Sequence, residues 1–454
     1  MKEVLLNLGL KKFPVKVPTS TETLAMGKVP LLFNPEQKIR HSLANPIDCP
    51  PLRTLVEQKL KADPEAKAVV VISDSTRPVP YSGKSGILYP IIDEMVQAGL
   101  KPSQIRVLVA TGTHRPMKEE ELKDMIDPRV FSLGLEIINH NSRNPEELVS
   151  IGKTELGGEI LLSRYYVECD LKILTGLVES HFMAGASGGR KSICPGLLAE
   201  ESTYILHSGP VLASPNARDL VLEGNPVHEE ALRVARMAGC DMIVNVTLDS
   251  KYRLTEVFSG HLESAHLAAF SKLKSYAAIP FEEEYDLVIG HTGFVGVNHY
   301  QAAKGALTCL PLLKEDAICI LAGCHTDTDP VGSTNYKRMI RLLSEKGPEK
   351  FVETILAPSW SFIPDQWEAQ MWARLFRKIA PDNLIYCTSD IPEESFSWIP
   401  GRDARTMISD AEDLRDLVEK SIDWAYKKLC LSLGREPLIA YLPDGPYGIP
   451  VKEE

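Results

Sequence analysis

One glycine-rich stretch, from His181 to His207, carries a lysine between two histidines. From His181 to Gly196 it reads HFMAGASGGRKSICPG. Its glycines let the backbone approach a ligand closely, and successive N–H groups in such a loop bind anions. Residues 185–192 (GASGGRKS) nearly match the G-x-x-x-x-G-K-[ST] pattern of nucleotide-binding P-loops, but Arg190 stands where that pattern has glycine. The stretch therefore predicts a phosphate-cradling loop around Lys191 and argues against an ATPase.

Two histidines on separate loops, His114 and His181, suggest acid–base chemistry because imidazole titrates near neutrality. Two bases facing each other across one carbon suit the inversion of a stereocentre. Arg77 and Lys304 could bind a carboxylate, Arg77 in bidentate fashion. Taken alone, each histidine is more simply a core or capping residue and each cation a surface charge. His207 could bind a metal, but no second ligand stands at ligand spacing from it, so the chemistry alone predicts no metal site.

Three predicted strands place these residues, and each strand ends in a polar loop. Ala68–Ile72 runs into Ser-Asp-Ser-Thr-Arg, Ile105–Ala110 into Thr-Gly-Thr-His-Arg, and Leu171–Val178 into the Lys191 loop. Helical segments separate the strands, a pattern that predicts a mostly parallel α/β sheet. Because ligands collect at the carboxyl ends of parallel strands, we expect the three loops to converge.

The pattern changes near residue 277, where we place a domain boundary between 1–277 and 278–454. The second half repeats the α/β style, so the predicted fold is two α/β domains with mostly parallel, Rossmann-like sheets and the active site in the cleft between them. Tyr300, Gln301 and Lys304 are expected at a helix start, with Tyr300 and Lys304 on one face. Val4–Leu8 is predicted to form a first strand, the segment from there to Pro51 is predicted to be irregular, and the final Pro/Gly-rich tail could pack on either domain.

Composition excludes several classes of protein. The 454 residues carry a net charge of −11, which argues against a nucleic-acid surface. Nine cysteines without a C-x-x-C pair suit a reducing cytoplasm rather than a disulfide scaffold or a structural zinc site. The sequence has no recognisable signal peptide and no apolar run long enough to span a membrane. We therefore expect a cytoplasmic protein that binds neither nucleic acid nor membrane.

The motifs resemble those of the nickel-pincer lactate racemase family over nearly the full chain. The residues that carry the resemblance are Ser73-Asp74-Ser-Thr-Arg77-Pro, Thr111-Gly-Thr-His114-Arg115, His181-x-x-x-Gly-x-Ser-Gly-Gly-x-Lys191-Ser-Ile-x-Pro-Gly196, His207, Tyr300-Gln301-x-x-Lys304 and Asp365-Gln366-Trp367.

The resemblance implies a cofactor, the nickel-pincer nucleotide, which is a Ni(II) pyridinium-3,5-bisthiocarboxylic acid mononucleotide. By this resemblance, Lys191 is covalently tethered to the cofactor and His207 is a ligand of its nickel ion. The nucleotide phosphate is bound by Asp74, Ser75, Thr76 and Arg77, and the two bases that act in turn are His114 and His181. The substrate is bound by Arg77, Tyr300, Gln301, Lys304 and Trp367. Trp360 and Trp372 lie close to Trp367 and compete with it for that role.

The implied activity is racemisation or epimerisation at C2 of a 2-hydroxy acid, by proton-coupled hydride transfer through a 2-keto acid. The motifs serve the C1–C2 unit and do not specify the rest of the substrate. Separate maturation proteins would deliver the cofactor, so protein made without them would carry an unmodified Lys191. Two alternatives remain open: a P-loop-like ATPase, and a non-catalytic binder of carboxylates or nucleotides. Cys194 is expected to be a small apolar filler.

Overall fold

The chain folds into two compact units that do not follow the sequence order. The central unit comprises residues 28–207 and 214–276, and the terminal unit comprises residues 1–27, 208–213 and 277–454. The terminal unit thus groups the first 27 residues and a short crossing segment with the C-terminal part of the chain. The expected domains, 1–277 and 278–454, remain a prediction.

The computed structural model describes residues 1–9 and 11–453. The strands are β1 Lys2–Asn7, β2 Lys12–Val17, β3 Glu22–Thr23, β4 Ala68–Ser73, β5 Ile105–Ala110, β6 Glu136–Asn139, β7 Leu148–Lys153, β8 Glu159–Ser163, β9 Leu171–Leu177, β10 Ser180–His181, β11 Gly185–Ala186, β12 Met242–Leu248, β13 Leu254–Gly260, β14 Ala278–Phe281, β15 Tyr285–His291, β16 Leu313–Ala322, β17 Leu384–Cys387, β18 Arg402–Asp403, β19 Ile439–Tyr441 and β20 Ile449–Lys452.

The α-helices are α1 Pro35–Ala44, α2 Leu52–Ala62, α3 Leu88–Gln97, α4 Glu119–Met125, α5 Pro128–Ser132, α6 Arg164–Val167, α7 Glu200–Thr203, α8 Gly209–Ala213, α9 Pro226–Ala238, α10 Ser264–Ala277, α11 His299–Cys309, α12 Thr334–Lys346, α13 Pro348–Leu356, α14 Gln366–Phe376, α15 Ala404–Met407 and α16 Leu414–Leu433. Short 3-10 helices span Pro102–Gln104, Pro145–Glu147, Gly189–Ser192, Leu310–Leu312, Pro381–Asn383, Glu393–Ser397 and Gly445–Tyr447. Within the described residues, no helix is long and apolar enough to cross a membrane.

The central unit is built on a six-stranded sheet in the order β13-β12-β9-β4-β5-β6. All neighbours are parallel except the edge pair β12–β13. Its inner strands are almost continuously apolar because helices cover both faces; β4, for example, reads AVVVIS and is buried over its first five residues. From β4 the chain moves outward through β5 and β6, then returns to the other side of β4 as β9. The order therefore reverses between β4 and β9, the position at which open α/β sheets bind ligands.

The terminal unit has its own six-stranded parallel sheet, in the order β18-β17-β16-β15-β19-β3. Apolar clusters cover both of its faces, one under α11, α12 and α14 and one under α16. The predicted fold class, α/β with two mostly parallel sheets, is confirmed.

Two expectations for the chain ends were wrong or incomplete. The predicted first strand, Val4–Leu8, corresponds to β1. The segment from there to Pro51, expected to be irregular, contains strand β2, which pairs antiparallel with β1, together with strand β3 and helix α1. Strand β3 adds to the edge of the terminal sheet, where Glu22 pairs with Ala440. The tail forms β20, which runs parallel to β14 within the same unit. Both partners lie far away in the sequence, so the short local patterns gave no sign of these pairings.

Candidate active site

Three polar loops follow the adjacent parallel strands β9, β4 and β5 of the central unit, as the sequence predicts. They are joined by direct bonds. The backbone N–H of Gly112, in the His114 loop, donates to the carbonyl of Gly196, at the end of the Lys191 loop, at 3.0 Å. The convergence of these loops at the carboxyl edge of one sheet is therefore confirmed.

His114 is held by a buried carboxylate. Its Nδ1 lies 2.7 Å from Oδ2 of Asp74, whose other oxygen accepts bonds from the backbone N–H and hydroxyl of Thr76 at 3.1 and 2.5 Å. Burial acts to raise the pKa of Asp74, but the hydrogen bonds from His114 and Thr76 outweigh it, so the pKa is lowered. An ionised Asp74 fixes the proton of a neutral His114 on Nδ1. The exposed ring then carries its lone pair on Nε2, as a general base requires.

The remaining residues of the predicted phosphate loop are more open. Ser75 and Thr76 are exposed, while Arg77 is half-buried and forms an ion pair with Glu179 at 3.2 Å. Glu179 directly precedes the His181 loop, so this pair links the loops after β4 and β9. The carboxylate of Asp74 is occupied by His114 and Thr76. Its predicted contact to the cofactor stays a prediction, and the observed role is to orient the imidazole.

His181 lies in the short β10–β11 hairpin, and its ring is half-buried. Its Nδ1 accepts the backbone N–H groups of Met183 and Ala184, each at 3.3 Å. A neutral ring in this setting carries its proton on Nε2. The two predicted bases thus have opposite tautomers: His114 has a lone pair on Nε2, and His181 has a proton there.

The Lys191 loop is fixed by crowded glycines. Gly188 has φ +75°, and a Cβ there would meet a side-chain carbon of Val178 at 2.7 Å and the amide oxygen of Asn245 at 2.9 Å. The same Asn245 oxygen accepts the backbone N–H of Gly189 at 2.8 Å. Lys191 then falls in the 3-10 helix Gly189–Ser192. A P-loop instead places its lysine at the start of a long α-helix, so the local geometry does not favour the ATPase alternative.

Arg190, the residue that breaks the P-loop pattern, is 1% exposed and acts as an internal clamp. Its guanidinium donates to the carbonyls of Ala184 and Ala186 at 2.9 and 2.8 Å and contacts Nε2 of His266 at 2.9 Å. Burial lowers the pKa of Arg190 to about 9. The described residues place no carboxylate within ion-pair distance of it, so its charge is balanced by backbone dipoles of the loop it holds.

His207 has the tautomer that a metal ligand needs. Its Nδ1 lies 3.0 Å from the carbonyl of Thr203, an acceptor, so this nitrogen carries the ring proton and Nε2 carries the lone pair. Burial, together with a smaller effect of the charge of Lys191, lowers the pKa of His207 to about 4. The ring is therefore neutral near pH 7, and Lys191 lies close enough to act on it. The described residues contain no group of three metal-binding side chains.

In the terminal unit, the predicted substrate residues start one helix. Asn298 caps α11 by accepting the backbone N–H of Gln301 at 2.9 Å. Tyr300 and Lys304 lie in the first turns of α11 at i,i+4 spacing, and both side chains are half-buried. The side-chain Oε1 of Gln301 is buried without a hydrogen-bond partner in the described part of the chain. A buried amide in this state has capacity for a ligand.

The structure separates the three tryptophans near residue 367. Trp367 is half-buried at the start of α14, and its Nε1 donates to the hydroxyl of Tyr300 at 2.6 Å. Trp360 bonds to Gln366 at 2.9 Å, and Trp372 is fully buried, stacked on His299 with ring centroids 4.6 Å apart. Trp367 is thus the tryptophan that joins the predicted substrate residues.

Comparison with known families gives a direct assignment. Residues 8–219 match the lactate racemase N-terminal domain, and residues 283–427 match the lactate racemase C-terminal domain. The chain is 30% identical to the lactate racemase of Lactiplantibacillus plantarum over 421 residues, which cover 92% of this chain and 91% of that protein. The chain belongs to the lactate racemase family. It is accordingly an enzyme of the isomerase class, and the resemblance seen in the motifs is confirmed.

Two further relatives agree with this family assignment. The lactate racemase of Thermoanaerobacterium thermosaccharolyticum is 31% identical over 356 residues, which cover 77% of this chain and 79% of that protein. The apoprotein structure of lactate racemase from the same organism superimposes over the whole of both chains with a TM-score of 0.83 and 27% identity. A structure from Thermotoga maritima shares the fold, with a TM-score of 0.64 and 18% identity over 93% of this chain and all of that one.

Sequence reasoning missed some residues that hold the site together. The role of Asp74 in orienting His114, the pairing of Glu179 with Arg77 and the support of the glycine loop by Asn245 were not predicted. Each bond joins residues at least 40 positions apart, and the only available signal was that their loops share one sheet edge. Cys194 is 1% exposed, and burial raises the pKa of its thiol, in keeping with the expected apolar filler.

Proposed function

We propose that this racemase inverts C2 of a 2-hydroxy acid by moving a hydride away from the carbon and back to its other face. The observation that carries the proposal is the bond between Asp74 and His114 beside the loop of Lys191. It combines a general base of fixed tautomer with an amine on a loop suited to phosphate. The C–H at C2 of a hydroxy acid is only weakly acidic, so a hydride acceptor offers a route that does not require a carbanion at C2.

The residues present fit the nickel-pincer nucleotide that the family resemblance implies. Lys191 supplies an amine for a covalent tether, and His207 offers Nε2 as one nickel ligand. The charge of Lys191 acts on His207, so one group could reach both. When bound, such a cofactor supplies a reversible acceptor for the C2 hydride and leaves the substrate as a 2-keto acid. Ser75, Thr76 and Arg77 would bind its phosphate, with Arg77 also facing the substrate.

The protons are the task of the two histidines. His114 has Nε2 ready to take the hydroxyl proton of one enantiomer, and the ionised Asp74 compensates the charge that the ring then gains. His181 presents an Nε2–H to the oxygen on the opposite face, and giving up this proton leaves an imidazolate whose Nδ1 is stabilised by two backbone N–H groups. The proton gained by His114 must return to His181 before the next turnover in the same direction. Reaction in the other direction exchanges these roles. Two histidines that begin in opposite tautomers suit a reaction that must accept a proton on one side and donate it on the other.

The terminal unit would recognise the substrate. The Lys304 ammonium suits the carboxylate, Gln301 has an amide with spare hydrogen-bonding capacity, and Tyr300 and Trp367 present a bonded aromatic pair. These contacts serve the carboxylate and C2 hydroxyl common to lactate and longer hydroxy acids. We further propose that the protein acts in the cytoplasm on a small-molecule 2-hydroxy acid, and that maturation proteins deliver its cofactor.

The deciding experiment measures intact mass and nickel content of protein produced together with the cofactor-synthesis machinery. We expect an adduct of nucleotide size on Lys191, near-stoichiometric nickel, and racemisation of a single enantiomer of lactate or of another 2-hydroxy acid in a chiral screen. Lys191→Ala should abolish both adduct and activity. Lys172→Ala, which removes another half-buried lysine of the central unit, should retain them.

Three outcomes would contradict this proposal, and the last two would favour the open alternatives. Full nickel, adduct and activity in Lys191→Ala would end the tether proposal. If ligands bind but His114→Ala changes only their affinity, the protein is a non-catalytic binder. Magnesium-dependent ATP hydrolysis by the purified protein would revive the ATPase reading.

A further inference from the structure

A buried carboxyl group lies beside the predicted substrate residues of the terminal unit. Glu368 follows Trp367 in the first turn of α14 and is 1% exposed. Its Oε1 has no hydrogen-bond partner in the described part of the chain. Ionising a carboxyl group in such surroundings is costly because water is absent and the charge is incompletely solvated by protein dipoles. Glu368 has no role in the proposed transfer of protons or hydride.

The charged and titratable groups around Glu368 come from three helices. Lys304 on α11 favours its ionisation, whereas Asp365, at the start of α14, opposes it. Burial is the largest effect and raises the pKa of Glu368 to about 8. The pKa values of the Tyr300 and Tyr336 hydroxyls, on α11 and α12, are raised by burial and further by the proximity of Glu368.

The other elements that pack on α14 bring apolar groups and carbonyls. Helix α13 faces inward with Phe351, Val352 and Ile355. Helix α8, of sequence GPVLA, contains no charged side chain, and its Gly209 carbonyl accepts a bond from Gln370 at 2.9 Å. Among the described residues, Lys304 is the cation that favours ionisation of Glu368, and the same lysine is the proposed partner of the substrate carboxylate.

We propose that Glu368 is a positioning residue that retains a proton while substrate binds, so that the charge of Lys304 is available to the substrate carboxylate. When Glu368 loses this proton in alkaline solution, its carboxylate competes with the substrate for the same ammonium. The proposal rests on the substrate-binding role of Lys304 under the proposed function. It makes Glu368 a determinant of substrate affinity rather than a catalytic residue.

The test compares the pH dependence of KM and kcat for lactate, or for the best substrate of the screen, in cofactor-loaded wild type and Glu368→Gln. Between pH 7 and pH 9, about one unit either side of the pKa of Glu368, we expect KM of the wild type to rise about tenfold as one charged hydrogen bond is lost. Glutamine mimics the protonated carboxyl, so KM of Glu368→Gln should stay nearly constant. The same rise in both proteins would overturn the proposal.

Two further variants separate positioning from packing. Glu368→Asp keeps a titratable carboxyl and should restore a pH-dependent KM with a displaced midpoint. Gln370→Leu removes another buried polar group of α14 that is 2% exposed, and it should keep the wild-type pH profile. A flat KM profile in Gln370→Leu would indicate a general packing effect and contradict the assignment to Glu368.

Thermal unfolding of the apoprotein provides a readout that requires neither cofactor nor substrate. Because the carboxyl keeps its proton in the folded state but ionises near pH 4.5 when unfolded, it makes stability fall as pH rises from there towards about 8. Glu368→Gln lacks this dependence, so its Tm relative to wild type should increase over that range. A constant Tm difference would show that Glu368 ionises normally and overturn the proposal. Absence of turnover of any 2-hydroxy acid, with the Tm difference intact, would instead overturn the proposed function and the coupling to substrate.

Discussion

The two units hold their candidate site residues by different means. In the central unit, the Lys191 loop is fixed through its backbone: crowded glycines, the Asn245 amide and the buried Arg190 constrain it. In the terminal unit, Tyr300 and Lys304 project from a helix and are held through side chains, such as the 2.6 Å bond to Trp367. A loop that presents the proposed covalent tether would tolerate little change. Side chains on a helix can be exchanged while the backbone stays in place, which would suit the proposed recognition of the part of the substrate beyond C2.

The largest expected effect comes from Asp74→Asn. The substituted amide would present an N–H to His114, favour the tautomer with the proton on Nε2, and remove the base. We expect kcat to fall by roughly ten-thousandfold, the scale seen when the orienting carboxylate of a catalytic histidine is replaced by an amide. The measurement is kcat per loaded enzyme, with loading determined by intact mass.

Asp127→Asn is a matched control for this prediction. Asp127 is also a buried aspartate of the central unit, but it caps α5 and pairs with Arg129. It should affect stability more than kcat. If Asp74→Asn instead loses the cofactor adduct while the remaining loaded fraction turns over normally, Asp74 binds cofactor and does not orient the histidine.

Gly188→Ala tests whether the crowded backbone of the Lys191 loop is needed for its function. The new methyl would meet Val178 and Asn245 below 3.0 Å at a φ of +75°, so the loop must move. We expect the fraction of protein carrying the adduct to fall about tenfold or more, given that overpacking and strain together cost a few kcal/mol.

Gly239→Ala provides the control because its φ is +74° and a Cβ there meets nothing within 4 Å. It carries the conformational cost of a positive φ without the crowding, and should lower Tm while preserving adduct formation. Equal loss of adduct in both variants would mean that stability, not loop geometry, limits loading.

Tyr300→Phe tests whether side-chain contacts hold the candidate substrate residues of the terminal unit, and it has the smallest expected effect. It removes the acceptor of the Trp367 indole N–H and releases that ring. We expect KM to rise about fivefold with kcat within about twofold, since a single hydrogen bond contributes about 1 kcal/mol. Steady-state kinetics on each lactate enantiomer provide the measurement.

Tyr386→Phe is the control for loss of a buried tyrosine hydroxyl. Tyr386 bonds to Nε2 of His325 at 3.0 Å, within the core of the same unit. It should lower Tm and leave KM unchanged. A large fall in kcat in Tyr300→Phe would contradict this prediction, because it would mean that the Tyr300 hydroxyl takes part in catalysis and does not only hold the Trp367 ring.

The sequence predicted those elements whose residue pattern is local, such as strands formed by one continuous apolar run. The buried runs Ala68–Ser73 and Leu171–Leu177 are apolar along their length, so both strands were predicted within a residue or two. Because parallel strands end at one sheet edge, the convergence of their loops followed directly.

The remaining features depend on partners that are distant in the chain. Lys12–Val17 contains a proline and two lysines, and it reads as irregular until its hairpin partner is known. Likewise, nothing in the local sequence tells that Asp74 bonds to His114 rather than to a phosphate, or that Trp367 rather than Trp372 meets Tyr300. These choices depend on side-chain directions set by the packed fold.

The pairing of β3 with β19 has a consequence for how the chain is made. Residues 28–276, apart from the short crossing segment, complete one compact unit as soon as they leave the ribosome. Strand β3 emerges before all of this but must wait for its partner Ile439–Tyr441, made more than 400 residues later. Until translation is nearly finished, β3 has no sheet to join and the apolar face of the β1–β2 hairpin has no α16 to pack against, so this early segment is the part of the nascent chain that chaperones would need to protect.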